Sequence, residues 1–524
     1  MASSENLEAA LSRTRKSYDD TPYVHAPMMR SHPGRLAARA VWSGLPAADA
    51  AKARVLEIGC ASGGNLLPLA AALPGAFFLG VDLSPVQIAA GEARRLRYGL
   101  PNVELRADSF EALGPADGAF DFIICHGVYS WIPEPLRESL LRVIAERLAP
   151  DGVAMVSFNV LPGWRLFQIA RDSMLLNARM IDDPARRAEA TRELFKLLGA
   201  ESVDKNTYGK FWRDEARHMA AGGDAYLAHE IFEDSNAPET FADFAGRAGR
   251  FGLDYLGEAV VVANNEADLA PQGAETIRRL AQGDRLKRET YIDIFSGRSF
   301  REALLVHRGR AEPIAEPTPQ ALEALHYIPA LELGLAVARD VAGVFRLNVK
   351  ETELFFRDSQ VEPAMRRLLE RRPASSSFAD LAGSAPEEFR DELREALRLA
   401  VEAGLVAVST VPAHCAARLA ERPKLWPLAA TDAADSDHTA TLRHSAFQFA
   451  PLQRLLAPLI DGTRTRDDLV AAALEMASKG ELTVGGPNGP VTDLQAMRAP
   501  LEAGIDEALA GLLRNGLLVE GSRI

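Results

Sequence analysis

Hydrophobic positions in the first third of the chain form short unbroken runs separated by helical stretches. Val55, Leu56 and Ile58 make one run, which breaks at Gly59 into a Gly/Ser turn; an apolar helix starts near Leu66, and Phe77-Phe-Leu-Gly-Val leads into Asp82. Continuous apolar runs of this length suit strands buried on both faces, so the pattern predicts a βαβ unit of a parallel sheet. The alternation continues with a helix from Gln87 to about Tyr98, a strand from Val103 into Asp108, and a buried strand from Phe120 that ends at His126. A helix from Leu136 to Leu148, the turn Pro150-Asp-Gly152 and a strand over Val153–Phe158 follow. Arg165 to Ala248 reads as helical, with Leu194, Phe195, Leu197 and Leu198 on one apolar face and Phe241 and Phe244 on another. Leu253–Val262 and Arg301–His307 read as strands, a closing antiparallel pair for the sheet. In such an open sheet the ligand lies outside the carboxyl ends of the strands.

A Pro/Glu-rich joint, Glu312 to Pro319, predicts a domain boundary. Beyond it lies a diverged repeat: residues 362–411 and 451–521 each run through three helices and end a long helix at Gly (Gly404, Gly516) before an apolar strand. Winged-helix units have this order. The third helix of the first unit, from Glu387, carries more acids than bases, which suits protein contact better than a phosphate backbone. The division expected is an N-terminal arm or lid over 1–45, an α/β domain over 46–311 with helical insertions at about 165–250 and 264–298, and winged-helix-like modules over 320–415 and 424–524.

Composition narrows the class. The 524 residues, 47% hydrophobic and 25% charged, are those of an ordinary globular chain, and the net charge of −13 argues against nucleic acid as a partner. Three scattered cysteines without metal-ligand spacing argue against a disulfide scaffold and a zinc site, so no metal is expected. The start of the chain lacks a basic-then-apolar signal pattern and no apolar stretch reaches the roughly 20 residues of a membrane span, which predicts a cytoplasmic protein without membrane insertion. The oligomeric state is left open.

The glycine spacing carries the chemistry. A dinucleotide fingerprint needs G-x-G-x-x-G, whereas Cys60 and Ala61 follow Gly59 and the glycines recur at Gly63-Gly64. The form E-x-G-x-x-x-G-G from Glu57, with Asp82 closing the second strand, resembles motif I of class I S-adenosylmethionine-dependent methyltransferases. Flanking segments resemble bacterial methyltransferases that carry a regulatory domain: Ser17-Tyr-Asp-Asp-Thr-Pro-Tyr23, His32 to Leu36, His126-Gly-Val-Tyr-Ser-Trp131, Asn159 to Trp164, His229 to Phe241 and Tyr291 to Arg301. That group includes rickettsial protein lysine methyltransferases acting on outer-membrane proteins. The resemblance implies a Rossmann-like seven-stranded α/β sheet with helical insertions and S-adenosyl-L-methionine as cofactor. It implies cofactor contacts from Glu57, Gly59, Gly63, Asn65, Asp82, Leu83, Asp108, Ser109, Phe110 and His126, with Asp82 on the ribose hydroxyls and Asp108 on the adenine amino group. Tyr18, Asp19, Tyr23 and His32 would form a lid, with Asn159 and Trp164 beside the acceptor and a place in the core as the alternative for Trp164.

Methyl transfer from a sulfonium is an in-line displacement that needs an acceptor lone pair and a short approach, so positioning and desolvation do most of the work. For a lysine amine, apolar walls favour the neutral, reactive form. Tyr129 and Trp131 are candidates for such walls, the Tyr129 hydroxyl for orienting the amine, and His126 for taking the proton, with a structural hydrogen bond as its alternative role. The expected function is methyl transfer to protein lysine. Its rivals are a small-molecule methyltransferase of secondary metabolism and a cofactor-sensing scaffold without catalysis. Because the proposed cofactor residues end at His126 and the sheet closes by His307, a chain ending near Glu316 is expected to keep its cofactor.

Overall fold

The computed structural model describes residues 4–22, 26–201, 207–220, 229–233, 235–261, 271–311, 316–337, 343–357, 359–486, 489–491 and 493–520. Its centre is a mixed sheet built from β1 (Arg54–Ile58), β2 (Phe77–Asp82), β3 (Val103–Ala107), β4 (Phe120–Cys125), β5 (Leu148–Leu161), β6 (Leu253–Glu258) and β7 (Phe300–His307). The strands lie in the order β3-β2-β1-β4-β5-β7-β6. The first five are parallel and β7 runs antiparallel to both β5 and β6, as the closing pair requires.

Helices cover both faces. α1 (Ser4–Asp20), α2 (Pro33–Trp42), α3 (Leu66–Ala72), α4 (Pro85–Tyr98) and α5 (Glu134–Arg147) precede β5. One core packs Leu56, Leu79 and Ile123 against Leu140 and Ile144 of α5 and Phe241 and Phe244 of a later helix. The other packs Val55, Phe78 and Phe122 against Leu36 and Ala37 of α2 and Leu66 and Leu69 of α3. The period of two along each strand sends neighbours to opposite cores. The second half of the N-terminal arm is thus core: Leu36, Ala37 and Ala40 are fully buried under the sheet.

After β5 the chain enters α6 (Trp164–Arg179), α7 (Pro184–Glu201) and α8 (Thr207–Ala220), which share a small core of Ala170, Met174, Phe195, Trp212 and Ile231. α9 (Phe241–Arg250) returns to the sheet, and α10 (Pro271–Ala281) and α11 (Arg285–Ser296) precede β7. β5 is longer than the pattern suggests. It begins at Leu148, and the Pro150-Asp-Gly152 stretch is taken up by a register irregularity opposite Phe120 and Phe122.

Past Thr318, a sheet of Ser376–Ser377, His326–Pro329 and Val406–Ser409 is joined to the helices Glu362–Glu370, Phe378–Ala382 and Glu387–Glu402. A separate antiparallel meander, Gly334–Val337, Phe345–Val349 and Thr352–Phe356, lies outside the expected helix-rich repeat. Its turn at Lys350 has φ 52, and Phe345, Leu347 and Phe356 face inward. In the second unit the last helix spans Leu494–Arg514, starting before Leu501 and carrying Pro500 inside. The terminal apolar run makes single bridges to Cys415 and Leu425 rather than a continuous ladder.

Both C-terminal units pack directly on the α/β domain. Ala38 and Trp42 of α2 belong to the first unit's core, and the Thr410 amide donates to the Gly34 carbonyl at 2.9 Å. Ala71, Ala72 and Tyr98 pack into the second, where the Tyr98 hydroxyl donates to Asp432 and Arg97 pairs with Asp435.

Candidate functional site

A cleft of about 550 Å³ opens at the carboxyl ends of β1, β2, β3, β4 and β5. Gly59, leaving β1 with φ +76, forms part of its wall; a Cβ there would meet the Val128 side chain at 2.4 Å, so only glycine fits this close crossing. The Asp82 carboxylate joins two turns: one oxygen accepts the Ala61 amide at 2.9 Å, the other the Ser84 amide at 2.9 Å. Burial raises its pKa, and those two amides restrain the rise. Ser84 caps α4 by accepting the Gln87 amide at 3.1 Å and donates its hydroxyl to Asp19 of α1. Leu83, Asp108, Ser109 and Phe110 complete this half, the Asp108 carboxylate accepting the Ser109 amide at 2.8 Å.

The other half is formed by His126, Gly127, Val128, Trp131, Asn159, Trp164, Ser299 and Phe300. His126 meets the Phe300 ring edge-on, and its Nε2 lies 3.6 Å from Glu302, which also accepts Arg30 at 2.6 Å. Burial pushes the Glu302 carboxyl up, but His126 and Arg30 outweigh that and hold it below the usual range. Trp164 is held by its indole N–H donating to Asn236 at 3.2 Å. Among the described residues of the cleft lining, the buried Gln87 Oε1 and Asn159 Nδ2 have no hydrogen-bond partner.

α1 roofs the cleft with Leu11, Thr14, Arg15 and Tyr18. Thr14 and Ser17 donate to Glu233 at 3.2 and 3.1 Å, and the Tyr18 ring stacks on His229 with centroids 4.3 Å apart. Residues 229–232 are helical and bring His229 and Glu230 to the wall.

Several residues singled out from the sequence stand elsewhere. Glu57 points to the α2/α3 face, opposite to Leu56 and Ile58, and its Oε1 accepts the Asn65 amide at 2.9 Å beneath the cleft. Asn65 is itself fully buried, its Oδ1 receiving the Met28 amide at 3.0 Å, the Ser31 hydroxyl at 3.1 Å and His444 Nε2 at 2.7 Å. Gly63 does not line the cleft; its φ of +72 serves the turn into α3. Tyr129 is fully buried behind the wall, donating its hydroxyl to Glu239 at 2.6 Å and meeting Phe158 and Phe244 edge-on. His32 caps α2 by accepting the Gly34 amide at 3.1 Å and lies away from the cleft, where burial lowers its pKa to about 3. Tyr23 lies outside the described residues. The sequence pattern gave no role to Ala61, Gln87, Arg15, Glu230 or Phe300, all of which line the cleft.

Burial without a second partner pushes the Glu57 carboxyl up to about 8, with the Asn65 hydrogen bond opposing and Asp82 adding to the rise. The native state then holds a proton that the unfolded chain releases near its ordinary value, so Glu57 costs stability as pH rises from about 4.5 to 8. Urea midpoints are expected to show this fall across that range, and Glu57→Gln, which keeps the shape without the charge, to flatten it.

Comparison with known proteins agrees with this organisation. Residues 55–152 match the model for a methyltransferase domain, 223–307 a predicted methyltransferase regulatory domain, and 421–517 the C-terminal winged helix domain of PKMT. Uncharacterized protein RP789 of Rickettsia prowazekii is 27% identical over 525 residues, covering 96% of this chain and 93% of that protein. RP028 of the same organism, also uncharacterized, is 33% identical over 241 residues, 45% of this chain and 96% of that protein. The solved structure of PKMT2 from Rickettsia typhi in complex with AdoHcy superposes with a TM-score of 0.82 at 25% identity, covering 95% of this chain and 100% of that one.

Proposed function

This chain belongs to the family of class I S-adenosylmethionine-dependent methyltransferases that carry a methyltransferase regulatory domain, and we propose that it transfers methyl groups to lysine side chains of a protein. The observation that carries this reading is the division of the cleft. Its β1–β3 half is acidic and backbone-lined, whereas its β4–β5–β7 half is walled by Trp131, Trp164 and Phe300 around His126.

The residues present fit the cofactor. The volume lies in the range of small-molecule sites, Gly59 keeps side chains out of the β1 turn, and Gln87 Oε1 awaits a polar partner. Asp82 would hold the ribose diol through the remaining lone pairs of its carboxylate, Asp108 the adenine amino group, and Phe110 and Leu83 the ring faces. When bound, S-adenosylmethionine supplies an electrophilic methyl group on sulfonium. The chain's own residues then exclude water with α1 and orient the acceptor. The aromatic walls desolvate an ammonium and favour its neutral form. The partner proposed is a lysine-bearing protein, and the compartment proposed is the cytoplasm; no helix among the described residues is long and apolar enough to cross a membrane.

The test is incubation of the purified protein with isotopically labelled S-adenosylmethionine and a cell extract, followed by separation of protein from small molecules. Label is expected in the protein fraction and, after acid hydrolysis, in methyl-lysine. Label confined to the small-molecule fraction would replace this reading with a small-molecule methyltransferase, and label in neither would leave a scaffold.

A further inference from the structure

We propose that Glu230 is the acceptor-binding carboxylate of this enzyme: it recognises the lysine ammonium and takes the proton that must leave before methyl transfer. The inference rests on the amine acceptor proposed above and goes beyond it by naming the group that selects a cation.

Three observations converge. Glu230 lines the cleft from the helical turn 229–232. That segment crosses the acceptor half: the Ala237 amide donates to the Ser130 carbonyl at 3.0 Å, Asn236 accepts Trp164 at 3.2 Å, and Arg171 of α6 donates to the Glu233 carbonyl. Second, the described acids that line the cleft are Asp82, Asp108 and Glu230, and the first two stand at the ends of β2 and β3. Glu230 is thus the described lining acid that the insertion, rather than the end of β2 or β3, offers to an ammonium arriving between Trp131, Trp164 and Phe300. Third, no hydrogen bond to the Glu230 carboxylate is made by the described residues, so it is open to a ligand, unlike Glu233, which is occupied by Thr14 and Ser17.

The chemistry balances without a further reagent. The ammonium Nζ gives one proton to a Glu230 oxygen, leaving a neutral amine and a neutral carboxyl. The freed Nζ pair forms the N–C bond to the methyl carbon while the C–S bond breaks and its electrons stay on sulfur. A methylammonium and S-adenosylhomocysteine result, and Glu230 returns its proton to solvent on product release. Burial pushes the Glu230 carboxyl up to about 7, with His229 and Arg171 opposing, which brings it toward an amine that the aromatic walls push down from its ordinary value near 10.4. Among the described residues, the charged and titratable groups around this region are His229 and Glu233 on its own segment, Arg171 of α6, Arg15 and Tyr18 of α1, and His126 after β4. The guanidinium groups of Arg171 and Arg15 lie on this side of the cleft, so the ionisation of Glu230 also sets whether it is hospitable to an ammonium.

The experiment compares full-length wild type, Glu230→Gln and Glu230→Asp, with methyl-lysine formed on heat-denatured extract proteins and the dissociation constant of S-adenosylhomocysteine as readouts. Wild-type kcat/KM is expected to rise with pH through about 7. Glu230→Gln is expected to fall at least about a hundred-fold and to lose that rise, Glu230→Asp to recover part of the rate, and both to bind S-adenosylhomocysteine within about twofold of wild type. A Gln variant that makes methyl-lysine at the wild-type rate overturns the inference, as does one that loses S-adenosylhomocysteine in proportion, because the role would then be structural. If wild type itself makes no methyl-lysine, it is the amine acceptor that fails, a result separate from either of these.

Discussion

An Asp82→Ala protein is expected to bind S-adenosylmethionine at least about a hundred-fold more weakly than wild type. The proposed contact is a bidentate one in which each carboxylate oxygen, already holding one backbone amide, accepts one ribose hydroxyl. Hydrogen bonds to a charged acceptor are worth about 1.5–3 kcal/mol each, and about 2.7 kcal/mol is a hundred-fold in affinity, so two of them reach or exceed that figure. The same substitution frees the Ala61 and Ser84 amides, which tie the β1 and β2 turns together. Water entering the open cleft satisfies them, and removal of a carboxylate whose pKa burial has raised offsets part of what is lost. The unfolding midpoint should therefore move by only a few degrees, on the order of 1 kcal/mol. Calorimetry showing unchanged affinity would remove Asp82 from the cofactor site. A collapse in stability instead would show that the carboxylate serves the turns first and the ligand second.

The parts of this site that could be read from the sequence are those that one stretch of chain builds alone. Gly59 and Asp82 follow from a βαβ unit whose apolar runs, glycines and terminal acid are consecutive, and Asp108, His126 and Trp131 follow from the ends of the next strands. What the pattern does not carry is which way a side chain turns once the strand has ended. Tyr129 and Trp131 sit in one 3-10 turn, yet Trp131 enters the cleft and Tyr129 goes beneath it, where Glu239, 110 residues on, takes its hydroxyl and Arg137 lies 5.2 Å over its ring. Glu57 misled for a related reason. It stands in the motif, but the alternation of β1 aims it at the opposite core from Leu56 and Ile58. Glu230 and His229 reach the cleft through an insertion whose helices show an apolar period but no link to any strand end. Only the fold supplies that link. The meander strands Gly334–Val337, Phe345–Val349 and Thr352–Phe356 could in principle be read from the alternating Phe345, Leu347 and Val349, a period of two ahead of the helix-rich stretch 362–411.

A chain ending at Glu316 is expected neither to fold stably nor to bind the cofactor at wild-type strength, contrary to what the linear order of the motifs suggests. Its surface would expose Trp42, Ala38, Ala71, Ala72 and Tyr98, which now pack in the cores of the C-terminal units. Burying a large apolar side chain contributes about 1.5–3 kcal/mol, so this loss is comparable with the roughly 5–15 kcal/mol that hold a domain together. A subtler contribution comes from His444, a fully enclosed side chain on a turn with φ 59 between two short strands of the second unit. It bonds Asn65 Oδ1 together with the Met28 amide, and Met28 lines the cleft, so the C-terminal unit fixes the N-terminal segment where the cofactor must sit. His444→Ala tests that link while leaving the apolar interfaces in place. One hydrogen bond of about 1 kcal/mol corresponds to a roughly fivefold loss of S-adenosylmethionine affinity if it is spent on holding Met28, and to no loss if it only stabilises the fold. The expected result is the fivefold loss with an unfolding midpoint within a few degrees of wild type. A soluble chain ending at Glu316 that binds S-adenosylmethionine as tightly as the whole protein would show that the C-terminal units are attachments, and that neither their cores nor His444 shape the cofactor site.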